Sequence, residues 1–255
     1  MRAIIRLIYC AAYLTLSLTG TQAKAQDGRF RVIAFYSLGM EKDHMDFTFD
    51  AISFFRSLAV SDSFVFDTTS DWSNLNEVFL QRYKICIWLN DFPRTSAQRK
   101  SFEKYMSGGG GWMGFHVSGY NDRDTNWPWF VEFMGGAVFY SNNWPPLPAR
   151  LVVDLPSHPV ARRLPGAFKA PANEWYIWKP SPRLNKDVQV IVSVDSADYP
   201  LGIKDVIRSG DLPVVWTNRK YNMLYLNMGH GDKIFTDTLQ NRMFEDALLW
   251  TGARK

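Results

Sequence analysis

From residue 31 onward the hydrophobic pattern alternates between two periods. "RVIAFYS" (31–37) is an unbroken apolar run of strand length. "HMDFTFDAISFFRSLA" (44–59) then places Phe47, Ala51, Phe54, Phe55 and Leu58 at helical spacing. "SFVFDTT" (63–69) returns to strand character, and "SNLNEVFLQRY" (73–83) reads as a helix with Ser73 at its N-cap. "KICIWLN" (84–90) is a third buried strand. "TSAQRKSFEKYMSGG" (95–109) is a helix opened by a Thr/Ser cap and stopped by glycines. "GWMGFH" (111–116) is the fourth strand. Strand and helix thus alternate four times, which implies a parallel sheet covered by helices on both faces.

Residues 139–213 break this rhythm. They hold many prolines and the short β-like runs "ARLVVD", "EWYIW" and "VQVIVSV", and they read as an extended, partly antiparallel section of the same domain. "PVVWTNRKYNMLYLNMGHG" supplies two more strands. "TDTLQNRMFEDALLW" (236–250) closes the chain as a helix with Leu239, Met243, Ala247 and Trp250 on one face.

The first 25 residues stand apart. Arg2 and Arg6 precede the short apolar run "LIYCAAYLTLSL", and Ala23-Lys24-Ala25 offers a cleavage site before Gln26. The pattern is that of a signal peptide, with an uncleaved anchor as the competing reading. Residues 26–255 then form one domain, secreted or periplasmic. The charge picture changes accordingly. The chain has 29 basic and 25 acidic residues, and losing Arg2, Arg6 and Lys24 leaves 26 against 25. No Lys/Arg cluster remains to favour nucleic acid, and nothing later suggests membrane insertion. Cys10 leaves with the signal, so Cys86, mid-strand, is expected to be inert core.

Candidate chemistry gathers at strand ends. His44 follows the first strand, His116 ends the fourth and His230 follows "MLYLNMG", whereas His158 lies in a loop before Pro159. Ligands of open parallel sheets bind at the carboxyl ends of strands, so these distant histidines are expected to share one edge. Strand, sharp turn and helix around His116 resemble the geometry of a nucleophile elbow. That would put an imidazole, able to donate or accept a proton, over the strand ends. Glu174 in "NEWYIW" is flanked by aromatics, and desolvation there is expected to raise its pKa for acid/base work. Asp43, Asp46 and Asp232 either orient the imidazoles or cap helices. Trp127, Trp129 and Trp144 surround the segment after His116 and offer faces that could stack on a ligand, with core packing as the competing reading. Trp144, Trp175, Asp43 and Asp232 are the candidate substrate contacts. His44, His116, His230 and Glu174 could together hold a divalent ion such as Zn²⁺, although no H-x-x-x-H or H-E-x-x-H spacing is present.

"GGGGWMGFHVS", "HPVARRLPGAFKAPANEWY", "PVVWT" and "YLNMGHG", in that order, resemble the ThuA-like (trehalose-utilisation) family of the class I glutamine amidotransferase-like superfamily. The resemblance implies a three-layer, flavodoxin-like α/β fold with a mainly parallel sheet, a link to sugar metabolism and no glutaminase chemistry. By position it carries His44, His116, Glu174 and His230 into a polar site. Asn173 stands where the family often has an acid. The expected function is an exported enzyme acting on a sugar or modified sugar by hydrolysis, elimination or isomerisation. The alternative is a non-catalytic carbohydrate-binding protein using the same pocket.

Overall fold

The computed structural model describes residues 30–62, 64–122, 124–197 and 211–254, so the expected signal peptide lies outside the described residues. Each buried strand of the first half alternates its side chains between two cores. Val32 and Ala34 of β1 (Arg31–Phe35), Ile85 and Ile87 of β3 (Ile85–Trp88), and Met113 and Phe115 of β4 (Gly111–Phe115) face one layer. Ile33, Phe35, Cys86, Trp88 and Trp112 face the other. Two-sided burial explains why these strands read as continuous apolar runs. The first layer is covered by α1 (Lys42–Ser61), through Phe47 and Phe55, and by α5 (Thr238–Ala253), through Met243 and Phe244. The second is covered by α3 (Ser96–Ser107), through Phe102 and Met106, and by α4 (Pro128–Phe133), through Phe130 and Phe133.

The sheet has nine strands in the order β2-β1-β3-β4-β11-β10-β9-β6-β7. Here β2 is Val65–Thr69, β6 Leu147–Val153, β7 Ala167–Asn173, β9 Val188–Val194, β10 Pro213–Asn218 and β11 Asn222–Leu226. The half from β2 to β11 is parallel in the flavodoxin-like order, with Leu226 beside Phe115. From β11 outward every pairing is antiparallel, which is the extended section expected from residues 139–213. The expected three-layer α/β architecture is therefore present, its parallel core enlarged by four antiparallel strands. A separate two-stranded sheet pairs β5 (Phe139–Asn142) with β8 (Tyr176–Trp178).

One expected element is divided. Residues 73–83 do not form a single helix capped by Ser73. Asp71 accepts from the Ser73 amide at 2.9 Å and caps a 3₁₀ turn, and Asn76 accepts from the Phe79 amide at 3.0 Å to start the short α2 (Glu77–Leu80). Two polar side chains that bond local backbone offer the chain an alternative to a continuous helix. By contrast α3 has the full reciprocal cap, Thr95 to the Gln98 amide and Gln98 to the Thr95 amide. Among the described residues, no helix is long and apolar enough to cross a membrane.

Candidate functional site

Three histidines meet at the carboxyl edge of the parallel half-sheet. His116 directly follows β4, His44 lies in the first turn of α1, and His230 lies four residues beyond β11. The ring centroids of His44 and His230 are 4.9 Å apart, of His44 and His116 5.4 Å, and of His116 and His230 5.6 Å. His116 and His230 are fully buried and His44 nearly so. His158 lies elsewhere, against Trp250 at 4.8 Å.

Backbone strain sets His116. Its φ is +45°, a left-handed conformation unusual for a residue with a side chain. The elbow geometry is thus present, but a four-residue 3₁₀ turn (His116–Gly119) follows in place of the expected helix. The carbonyl of His116 accepts from the Tyr225 hydroxyl at 2.9 Å. A Cβ on Gly229 would stand 2.5 Å from the His116 Cβ, so only glycine lets the two loops approach. Asn173, buried at the end of β7, ties that loop down. Its Oδ1 accepts from the Gly229 and His230 amides, each at 3.1 Å, and its Nδ2 donates to the Asn227 carbonyl at 3.2 Å. The Gly231 amide donates to the Asp43 carbonyl at 3.0 Å, which joins the loop to the start of α1.

Glu174 follows Asn173 and faces the cluster. Its Oε1 accepts from Asn142 Nδ2 at 2.8 Å, while its Oε2 lies 3.5 Å from His116 Nε2 and 3.8 Å from His230 Nε2. Asp43 Oδ2 backs His230 Nδ1 at 3.6 Å. Trp144, 41% exposed, stands with its ring centroid 6.3 Å from that of His230 and provides an accessible aromatic surface beside the cluster.

Two other expected contacts are corrected. Trp175 is not a ligand platform: it is buried in the same core cluster as Phe47 and Phe244, with its indole N–H on the Leu147 carbonyl at 2.8 Å. From Trp175 into β8 the side chains alternate between the two cores, Trp175 and Ile177 in one and Tyr176 and Trp178 in the other, so the aromatic next to Glu174 is directed inward. Asp232 faces solvent and pairs with Lys233 at 2.9 Å rather than with His230. Asp46 likewise pairs with Lys42. Trp127 and Trp129 pack with α4 in the opposite layer. Cys86 is buried, and desolvation pushes its thiol far up, as expected of inert core.

The electrostatics differ from expectation as well. Burial lowers His44 to about 3, helped by repulsion from His116 and His230. Burial also lowers His116, against the hydrogen-bonding and Coulombic pull of Glu174. Burial alone would raise Glu174, as anticipated, but the pull of His116, then of His230 and His44, outweighs it and leaves the carboxyl below its ordinary value. Geometry explains the tension. His116 Nδ1 is 2.9 Å from the Asn227 carbonyl, an acceptor only, so Nδ1 carries hydrogen. A neutral ring then aims the Nε2 lone pair at a carboxylate oxygen. The contact is favourable only with a proton or a cation between the two groups. The titration belongs to the pair.

The sequence alone did not single out Glu41. It occupies the N-cap of α1 yet makes no side-chain cap. Instead Oε1 lies 3.7 Å from His230 Nε2 and Oε2 3.8 Å from His44 Nδ1. Asn142, Asn173 and Asn227, which orient Glu174, the His230 loop and His116, were also missed as site residues. A buried asparagine carries no sequence signal beyond being polar near a strand end.

The family model "ThuA: Trehalose utilisation" matches residues 32–251. The chain belongs to the ThuA family. A solved ThuA-like protein from Bacteroides uniformis ATCC 8492 is 49% identical to this ThuA domain. The match covers 91% of this chain and 95% of that one, with a TM-score of 0.85. A second ThuA-like protein, from Parabacteroides merdae ATCC 43184, is 14% identical over 88% of this chain and 90% of its own, with a TM-score of 0.62. A β-galactosidase from Bacillus circulans sp. alkalophilus shares the fold over 30% of its length and 86% of this chain, at 11% identity and a TM-score of 0.51. A comparison with curated proteins gives no match.

Proposed function

We propose that this ThuA-family domain is an exported enzyme of carbohydrate metabolism that acts on a sugar or modified sugar at the His44, His116, Glu174 and His230 cluster. The observation that carries the reading is the His116–Glu174 contact. It couples a buried imidazole, fixed in one tautomer by the Asn227 carbonyl, to a carboxylate fixed by Asn142. Two groups so oriented can take up one proton between them, the arrangement needed to take a proton from a carbon or hydroxyl and return it to a sugar oxygen. The half-exposed Trp144 offers a face on which a pyranose ring can stack. Family membership supplies the sugar context. Glutaminase chemistry is disfavoured because the elbow position holds His116 and the sole cysteine of the parallel core, Cys86, is sealed mid-strand.

The test is turnover of a panel of mono- and disaccharides and their oxidised derivatives, followed by mass spectrometry and NMR. Glu174→Gln should reduce kcat by at least a hundredfold with an unchanged melting temperature. Binding without turnover of any panel member would favour the non-catalytic carbohydrate-binding reading instead. Export has its own check, N-terminal mass analysis of the chain secreted from a bacterial host. The expected first residue is Gln26, and a retained Met1 would contradict export with cleavage.

A further inference from the structure

Glu41, His44 and His230 point side-chain donor atoms at a common position, with one donor atom of each within 4.8 Å of the other two. Glu41 bridges the two imidazoles, with Oε1 facing His230 Nε2 and Oε2 facing His44 Nδ1. A carboxylate at a helix N-cap ordinarily bonds the free amides of the first turn. This one leaves them and turns to the histidines. His230 is 1% exposed, and among the described residues its Nε2 has carboxylate oxygens of Glu41 and Glu174 at 3.7 and 3.8 Å but no hydrogen bond. His230 Nδ1 is buried without a hydrogen-bond partner among the described residues and has Asp43 Oδ2 at 3.6 Å, within a short movement of the carboxylate–histidine pairing that fixes a metal-binding imidazole.

We propose that Glu41, His44 and His230 form a binding site for one divalent transition-metal ion, with an open position facing Glu174. An ion held tetrahedrally at about 2.0–2.1 Å spaces its ligand atoms roughly 3.3–3.4 Å apart. The 3.7 and 3.8 Å contacts run from the two Glu41 oxygens, and with one donor atom from each residue the set lies within 4.8 Å. The three groups therefore close on an ion by movements of up to about 1.5 Å, to which the half-exposed Glu41 side chain contributes. Two imidazoles and one carboxylate select a borderline ion of the zinc, cobalt, iron or manganese group over Mg²⁺ or Ca²⁺, which take oxygen ligands. Three protein ligands leave room for a sugar hydroxyl or water. Glu174, with its proton partner His116, stands next to that position. This places the metal inside the site proposed above and so rests on that reading for its role, though not for its existence.

Tag-free full-length chain, stripped with chelator and dialysed, is titrated calorimetrically with Zn²⁺ and separately with Co²⁺, whose visible absorption reports tetrahedral nitrogen–oxygen coordination. The expected result is one equivalent of either ion, with the Kd raised at least tenfold in both Glu41→Gln and His230→Gln and unchanged in His158→Asn, a histidine outside the cluster. Absence of stoichiometric binding, or equal loss in all three variants, would overturn the site. The sugar panel is then run on stripped and reloaded protein. Full turnover by the stripped protein would refute the metal's role in the reaction while leaving the His116–Glu174 reading intact.

Discussion

His116 is held at a φ that costs any residue with a Cβ about 1–2 kcal/mol. That strain gives a direct prediction. Both His116→Ala and His116→Gly should abolish turnover, but the glycine variant should be more stable by about 1 kcal/mol in denaturant unfolding. Equal stabilities would mean that the left-handed conformation does not survive in solution. His158 gives a pH prediction away from the site. Burial, then repulsion by Arg254, lowers it to about 4, below its ordinary value of 6.5. The unfolded chain therefore binds the proton first, and this contribution to stability is complete above pH 6.5 and lost as pH falls towards 4. His158 also caps a 3₁₀ turn through Nδ1, which accepts from the Val160 amide at 3.3 Å. His158→Asn keeps an acceptor there and removes the titration. Its stability should fall less between pH 6.5 and 4, on the order of 1–3 kcal/mol less than wild type. A parallel pH profile would contradict the buried neutral imidazole.

At the scale of elements, the site is assembled by two loops and a helix start that share hydrogen bonds. Asn173 is their junction: removing it leaves the Gly229 and His230 amides without an acceptor. Asn173→Ala should cost about 2–4 kcal/mol. It should also speed hydrogen exchange at the amides of Gly229 and His230 more than in β4. Uniform acceleration across the sheet would show that Asn173 supports the fold and not this loop. Much of the element pattern was legible in the sequence. The runs that became β1, β3 and β4 are apolar on both faces, and α1 and α3 carry clear 3.6-residue periodicity. Segment 73–83 misled because Asp71 and Asn76 compete for backbone amides, an effect that hydrophobic spacing does not register. Glu174 was recognisable as an acid among aromatics. Its neighbour Trp175 was misassigned because alternation along an edge segment depends on which side the core lies, and only the packed sheet decides that.

For the whole molecule, βα alternation announced the parallel half and placed three histidines at one edge before any coordinates. The order of the outer antiparallel strands was not readable, because short β-runs in a proline-rich segment do not encode their partners. Glu41 escaped notice for a related reason: its role comes from a long-range meeting of α1 with the loop after β11. The central claim is that this edge, with Trp144 beside it, is where a sugar binds. It is tested most directly by difference electron density from crystals of the protein soaked in a panel of mono- and disaccharides. The account predicts a sugar ring against Trp144 with an oxygen within hydrogen-bond distance, about 2.6–3.2 Å, of Glu174 or His116. Sugar density confined to another part of the surface, or none with any member of the panel, would contradict it.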